Sequence, residues 1–123
     1  MSMAPSRKPA PSHKPIVWSL FAGGGTFAAF LTPVMILITG LVLPLGLLSG
    51  EALSYERMTA LIASPWAKGA VFLAVFLPAW HAAHRLRITA HDLGIRADGL
   101  VATVCYCLAA LATVVAAYCL LAV

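Results

Sequence analysis

Charge is scarce in this chain and unevenly placed. Its 123 residues hold eight Lys or Arg and four Asp or Glu. None of them falls in the stretches 15–50, 69–84 and 99–123. A water-soluble domain needs a charged exterior, and a chain built this way cannot supply one. The apolar stretches contain no acid, which argues against a proton-driven carrier with an intramembrane carboxylate. No nucleophile is paired with a base, so hydrolase and transferase chemistry finds no support. Gly23-Gly24-Gly25 lacks the Lys-Ser/Thr ending of a phosphate loop and lies in an apolar run. There is no Cys-x-x-Cys pair. Cys105, Cys107 and Cys119 all lie in the last apolar stretch, where they read as small lipid- or helix-facing residues. The first and last stretches also lack histidine. That argues against a haem held by axial histidines from two helices of this chain, while a haem shared with another subunit stays open.

What is present is length and apolarity. Hydrophobic residues make up 62% of the chain and the mean hydropathy is +0.95, values of a membrane protein rather than a soluble one. A bilayer requires about 20 apolar residues per helix. The reading is an all-α membrane protein with three spans, at about 20–48, 66–90 and 99–123, behind a basic, Pro-rich tail at 1–15. The first run is too long for the core of a signal peptide and is read as an uncleaved span, with Trp18 at the membrane–water boundary. Gly23-Gly24-Gly25 permits a bend or the close approach of another helix. The connection 51–64 suits a short interfacial helix. Ser64-Pro65 starts the second helix, Gly94 stops it, and Asp98 is a candidate cap for the third. Ala109, Thr113 and Ala117 form a small-residue stripe suited to tight packing and are read as seeking a partner.

The tail carries Arg7, Lys8 and Lys14, and the second connection carries Arg85, Arg87 and Arg96; only Arg57 and Lys68 lie between the first two spans. The positive-inside rule then predicts a cytoplasmic N-terminus and a periplasmic C-terminus. Under that reading the net charge of +4 sets orientation and meets anionic lipid, with no nucleic acid as partner.

The densest polar cluster is Trp80-His81-Ala82-Ala83-His84-Arg85-Leu86-Arg87-Ile88-Thr89-Ala90-His91-Asp92. On a helix, Trp80, His84, Arg87 and His91 share one face, and His81, Arg85 and Asp92 an adjacent one. For Arg87 and Arg96 the plain alternative is a basic helix end reaching lipid phosphates. An imidazole beside a guanidinium suits a ligand that carries carbonyl oxygens and exchanges protons.

Several segments carry a resemblance. Val17-Trp18-Ser19-Leu20-Phe21, Pro33-Val34-Met35-Ile36-Leu37, Leu43-Pro44-Leu45-Gly46-Leu47, Leu53-Ser54-Tyr55-Glu56-Arg57, and His84-Arg85 with His91-Asp92-Leu93 resemble the D subunit of bacterial quinol:fumarate reductase, a hydrophobic membrane anchor. The likeness covers nearly the whole chain after the tail. It implies an anchor in the bacterial inner membrane, paired with a second hydrophobic anchor, the C subunit. The pair would hold the iron–sulfur subunit and the flavoprotein subunit on the cytoplasmic face. FAD and iron–sulfur clusters would then belong to partners, menaquinol would be shared, and no haem is expected. The family's quinone-site Trp and Arg match Trp18 and Arg85, and the adjacent His matches His84. Further histidines that the family often has soon after His-Arg are replaced here by Arg87 and Ile88. The alternatives are a haem b-binding anchor of a succinate dehydrogenase and a transporter subunit.

Overall fold

The computed structural model describes residues 14–123; the tail up to residue 13 lies outside the described residues. The described residues form four α-helices and no strand: α1 (Lys14–Leu37), α2 (Tyr55–Ile62), α3 (Pro65–Asp92) and α4 (Asp98–Ala122). By length and apolarity, Lys14–Val42 and Asp98–Ala122 can each cross a membrane, and α2 with α3, bent by 102° at their junction, makes a third candidate. The polar end of α3, where histidines and arginines gather, is what dilutes that helix.

Local chemistry explains the boundaries. Pro15 fits the first turn of α1, where its missing N–H is no loss. After Leu37 the helix widens into a π turn over Ile38–Val42, and the Leu43 N–H reaches the Ile38 carbonyl at 3.0 Å. Pro44 follows; it cannot donate, and its ring crowds the carbonyl four residues back. The chain then turns, with Gly46 at φ +68°, so residues 43–48 are turn rather than the end of a span. Ser54 caps α2 through the Arg57 N–H, and Ser64 caps α3 through the Ala67 N–H at 3.2 Å with Pro65 behind it. At the other end of α3, Gly94 (φ +85°) closes a Schellman turn: its N–H bonds to His91 and the Ile95 N–H to Ala90, each at 3.0 Å. The connection therefore holds the short helix expected of it, and Ser64-Pro65 and Gly94 act as read.

The polar side chains in the apolar helices are satisfied locally. Ser19, Thr26, Thr39, Thr103 and Thr113 each donate to the carbonyl four residues back. The three cysteines are free, with Cys105 half-buried and the other two exposed.

α3 is the central helix. Phe21 meets His84 while Gly24 meets Leu77, so α1 runs antiparallel to α3. Trp80 meets Thr113 while Arg87 meets Asp98, so α4 does the same on its other side. The seams are lined by small residues, and the buried ones among the described residues are Gly24, Ala83 and Ala109. A Cβ on Gly24 would strike the Leu77 carbonyl oxygen and lie 2.8 Å from His81 Cβ. One on Gly25 would lie 2.7 Å from the His81 ring, and one on Gly23 would meet nothing within 4 Å. The glycine run thus serves close approach, through two of its three residues.

The small-residue stripe on α4 is used inside the chain. Ala109 is buried, and Thr113 accepts the Trp80 indole N–H at 3.1 Å. Ala117 lines a surface groove with Lys68, Gly69 and Phe72 of α3. Through Ala109 and Thr113 the stripe packs α4 on α3, while Ala117 faces the open groove.

Large apolar side chains point outward on every long helix, among them Phe30, Ile36, Leu73, Leu108 and Val114. Exposed aromatics stand at both ends: Trp18 at one, Tyr55, Trp66 and Tyr118 at the other. From Trp66 to Arg85 is about 28 Å of helix, the thickness of a bilayer's hydrocarbon. The bundle therefore has a lipid-compatible exterior and a thin core of small residues.

Candidate functional site

Antiparallel packing gathers the start of α1, the end of α3 and the start of α4 at one end of the bundle. Trp18, His81, His84, Arg85, Arg87, His91 and Asp98 all lie there. The face Trp80–His84–Arg87–His91 turns to α4, as its helical spacing requires. Trp80 donates to Thr113, and its ring stacks on Tyr106 at 6.0 Å. His84 Nδ1 is 3.1 Å from the Tyr106 hydroxyl. Arg87 grips Asp98 with two hydrogen bonds, Nη2 to Oδ2 at 2.8 Å and Nε to Oδ1 at 3.2 Å, and its guanidinium lies beside the Tyr106 hydroxyl. His84, Arg87, Ile88, His91 and Asp98 line a polar cleft of about 340 Å³.

Two readings of this cluster change as a result. Asp98 is not a cap: the cap position is Ala97, and the Asp98 carboxylate is taken by Arg87. Arg87 correspondingly pairs within the chain instead of reaching for lipid phosphate. The pair ties the ends of α3 and α4 across the turn 93–97.

The adjacent face turns to α1. The His81 Nδ1–H donates to the Phe21 carbonyl at 2.6 Å, and its ring lies over Gly25. A carbonyl only accepts, so this bond fixes the His81 proton on Nδ1. His81 is thereby a clamp between helices. His84 differs. Its ring stacks on Phe21 at 4.2 Å and 16°, and its edge meets Tyr106, so both its plane and its rotation are held. Its Nε2 has no partner among the described residues.

Arg85 lies one turn beyond His81 on the stripe that follows the α1 seam, and it is exposed. It makes no hydrogen bond or ion pair with the described residues. Trp18 lies one turn before Phe21 on α1 and is 73% exposed. Both therefore stand just past the last His81–Phe21 contact, at one level of the bundle, and no contact joins them. Of the three residues singled out from the sequence, His84 is built into the bundle, and Trp18 and Arg85 are presented outward beside it. Phe21, Tyr106 and the Arg87–Asp98 pair were missed. Tyr106 had a signal: with Tyr118 it is one of two aromatics in a span of otherwise small and aliphatic residues, and it is the one at the polar end, between two cysteines. Among the described residues no group of three or more His, Cys, Asp or Glu is placed to hold a metal ion.

Long apolar helices, outward-facing large side chains and polar groups gathered at one end define a helical membrane protein. Comparison with known proteins supplies the particular kind. The family model for the fumarate reductase D subunit matches residues 8–121, and the chain belongs to that family. Proteins named as fumarate reductase D subunits are similar along most of their length. The one from Vibrio parahaemolyticus is 42% identical over 110 residues, 88% of this chain and 86% of that protein. The one from Aliivibrio fischeri is 41% identical over 111 residues, 89% and 91%. The one from Photobacterium profundum is 42% identical over 110 residues, 88% and 90%. The chain is thus a membrane subunit of a multisubunit fumarate reductase.

Proposed function

We propose that this chain anchors the fumarate reductase to the bacterial inner membrane and helps bind menaquinol at the bundle end that holds Trp18, His84 and Arg85. The partners in this reading are a second hydrophobic anchor (the C subunit), the iron–sulfur subunit and the flavoprotein subunit, the last two on the cytoplasmic face. The FAD and iron–sulfur clusters belong to them. The observation that carries the quinol site is the end of α3, where an exposed guanidinium, unpaired among the described residues, follows directly on an imidazole held on two sides.

These residues fit a quinone headgroup. Its two oxygens need hydrogen-bond donors, and its ring needs a flat apolar wall. When bound, the quinol supplies two electrons and two protons to the reaction. Arg85 donates to one oxygen and stabilises negative charge there. Trp18 offers an indole face and its N–H. His84 Nε2 accepts or returns a proton at the cytoplasmic surface. Histidine is confined to α3 among the described residues, which supports a complex without haem ligated by this chain alone. A groove along α1 and the π turn after it, where Ala28, Ala29, Thr32, Pro33 and Gly40 lie among Ile36, Leu37 and Leu41, offers small and aliphatic side chains to a neighbouring membrane helix, which supports pairing with the second anchor.

Arg85→Leu removes a charge-assisted hydrogen bond of about 1.5–3 kcal/mol, which lowers menaquinol-driven fumarate reduction roughly 10- to 150-fold if realised in the transition state. Fumarate reduction driven by a reduced viologen dye, which feeds the soluble subunits directly, stays near normal. An equal loss in both assays makes Arg85 an assembly residue, and no loss in either places the quinol elsewhere.

A further inference from the structure

His81 and His84, one turn apart in the C-terminal part of α3, differ in what holds them, and the difference points to a residue on α4. The partner of His81 is a backbone carbonyl, which accepts only and so freezes the proton on Nδ1. The partner of His84 is a phenolic hydroxyl, which both donates and accepts; the Arg87 guanidinium beside it only donates and takes one of its lone pairs, leaving the O–H and the other lone pair for Nδ1. With Tyr106 donating to Nδ1, the other ring nitrogen carries the proton and can donate to a quinone carbonyl oxygen. With Tyr106 accepting from Nδ1–H, the same nitrogen is bare and can accept from a quinol hydroxyl. Passing from the quinol-bound to the quinone-bound state moves one proton through the pair without moving the ring: Nε2 takes it from the quinol hydroxyl, Nδ1 passes its own to the Tyr106 oxygen, and the former Tyr106 hydroxyl proton leaves to solvent.

The ring stays put because its holders are themselves held. Phe21 of α1 covers one face at 4.2 Å. Tyr106 is half-buried and stacks on Trp80, whose indole N–H is tied to Thr113, and the Thr113 hydroxyl is tied in turn to the Ala109 carbonyl. The chain of contacts crosses the α3–α4 seam and leaves Nε2 as the ring nitrogen not engaged among the described residues.

We propose that Tyr106 is a positioning residue for His84, fixing the orientation of its imidazole and switching its tautomer between the quinone- and quinol-bound states. The proposal rests on the reading of His84 as a quinol-site residue.

The test uses the purified four-subunit complex, with a short-chain menaquinol as electron donor and a reduced viologen as the control donor. Tyr106→Phe keeps the ring on Trp80 and removes only the hydroxyl. Because the lost hydrogen bond acts on a moving proton, kcat with menaquinol falls about 3- to 10-fold while KM changes less than about 2-fold. Viologen-driven turnover is unchanged. In a His84→Phe background the same substitution adds nothing further, because Tyr106 acts only through His84. Wild-type kinetics for Tyr106→Phe, or a loss of equal size in the His84→Phe background, overturns the positioning role and leaves the quinol reading standing if His84→Phe is itself impaired with menaquinol. An unimpaired His84→Phe overturns the quinol reading of His84 and the positioning role with it. If Tyr106→Phe blocks assembly, Phe21→Leu loosens the same ring from its other side. Its menaquinol defect must likewise vanish in the His84→Phe background, and an additive defect overturns the proposal.

Discussion

At the scale of single residues, nearby positions on one helix do different work because they face different neighbours. His81 and His84 are three apart in sequence, yet one is a clamp on a glycine seam and the other a held imidazole whose second nitrogen has no partner among the described residues. The sequence carried the face assignment, because helical spacing alone puts Trp80, His84, Arg87 and His91 together. It did not carry the partners. Those depend on how α1 and α4 register against α3, across separations of 60 residues for His81–Phe21 and 22 for His84–Tyr106. The Arg87–Asp98 pair was within reach, since opposite charges flank a short turn, but the helix-start position of Asp98 suggested a cap instead. The Arg85→Leu experiment has a companion at this scale. Trp18→Leu keeps some of the apolar wall and loses the indole N–H, so menaquinol-driven turnover falls in the same direction by less than with Arg85→Leu. Arg57, just inside α2 at the opposite end of the bundle, is the control: Arg57→Leu leaves both assays near normal. A loss with Arg57→Leu matching that of Arg85→Leu contradicts a localised site.

At the scale of elements, the bundle depends on where side chains are absent. Gly24 is buried against the Leu77 carbonyl, and its neighbour Gly23 faces open space, although the two are indistinguishable in the sequence. Gly24→Ala forces α1 away from α3, an overpacking cost of about 1–3 kcal/mol. It also strains the His81–Phe21 clamp. Gly23→Ala meets nothing and replaces glycine by a better helix former. Thermal unfolding of the purified complex separates the two: Gly24→Ala lowers the midpoint, and Gly23→Ala leaves it unchanged or raises it. Equal midpoints contradict the seam described here. The end signals of α3 were legible because a capping serine, an N-terminal Pro and a terminal Gly act locally. The end of the first span was not, because the π turn before Pro44 and the left-handed Gly46 stop the helix inside a run that remains apolar.

At the scale of the whole molecule, an exterior of large apolar side chains joins a polar end. The positive-inside rule predicts the basic connection in the cytoplasm and the C-terminus outside: alkaline phosphatase fused after Val123 should then be active, and an inactive fusion in a normally expressed protein contradicts the arrangement. The central claim is that this chain holds its catalytic partners on the membrane and links them to quinol. Deleting it and fractionating the cells tests that most directly. Viologen-driven fumarate reduction should leave the membrane fraction, appearing in the soluble fraction or disappearing as the released partners lose stability, and menaquinol-driven reduction should vanish. Viologen-driven activity that remains firmly on the membranes without this chain would contradict the account.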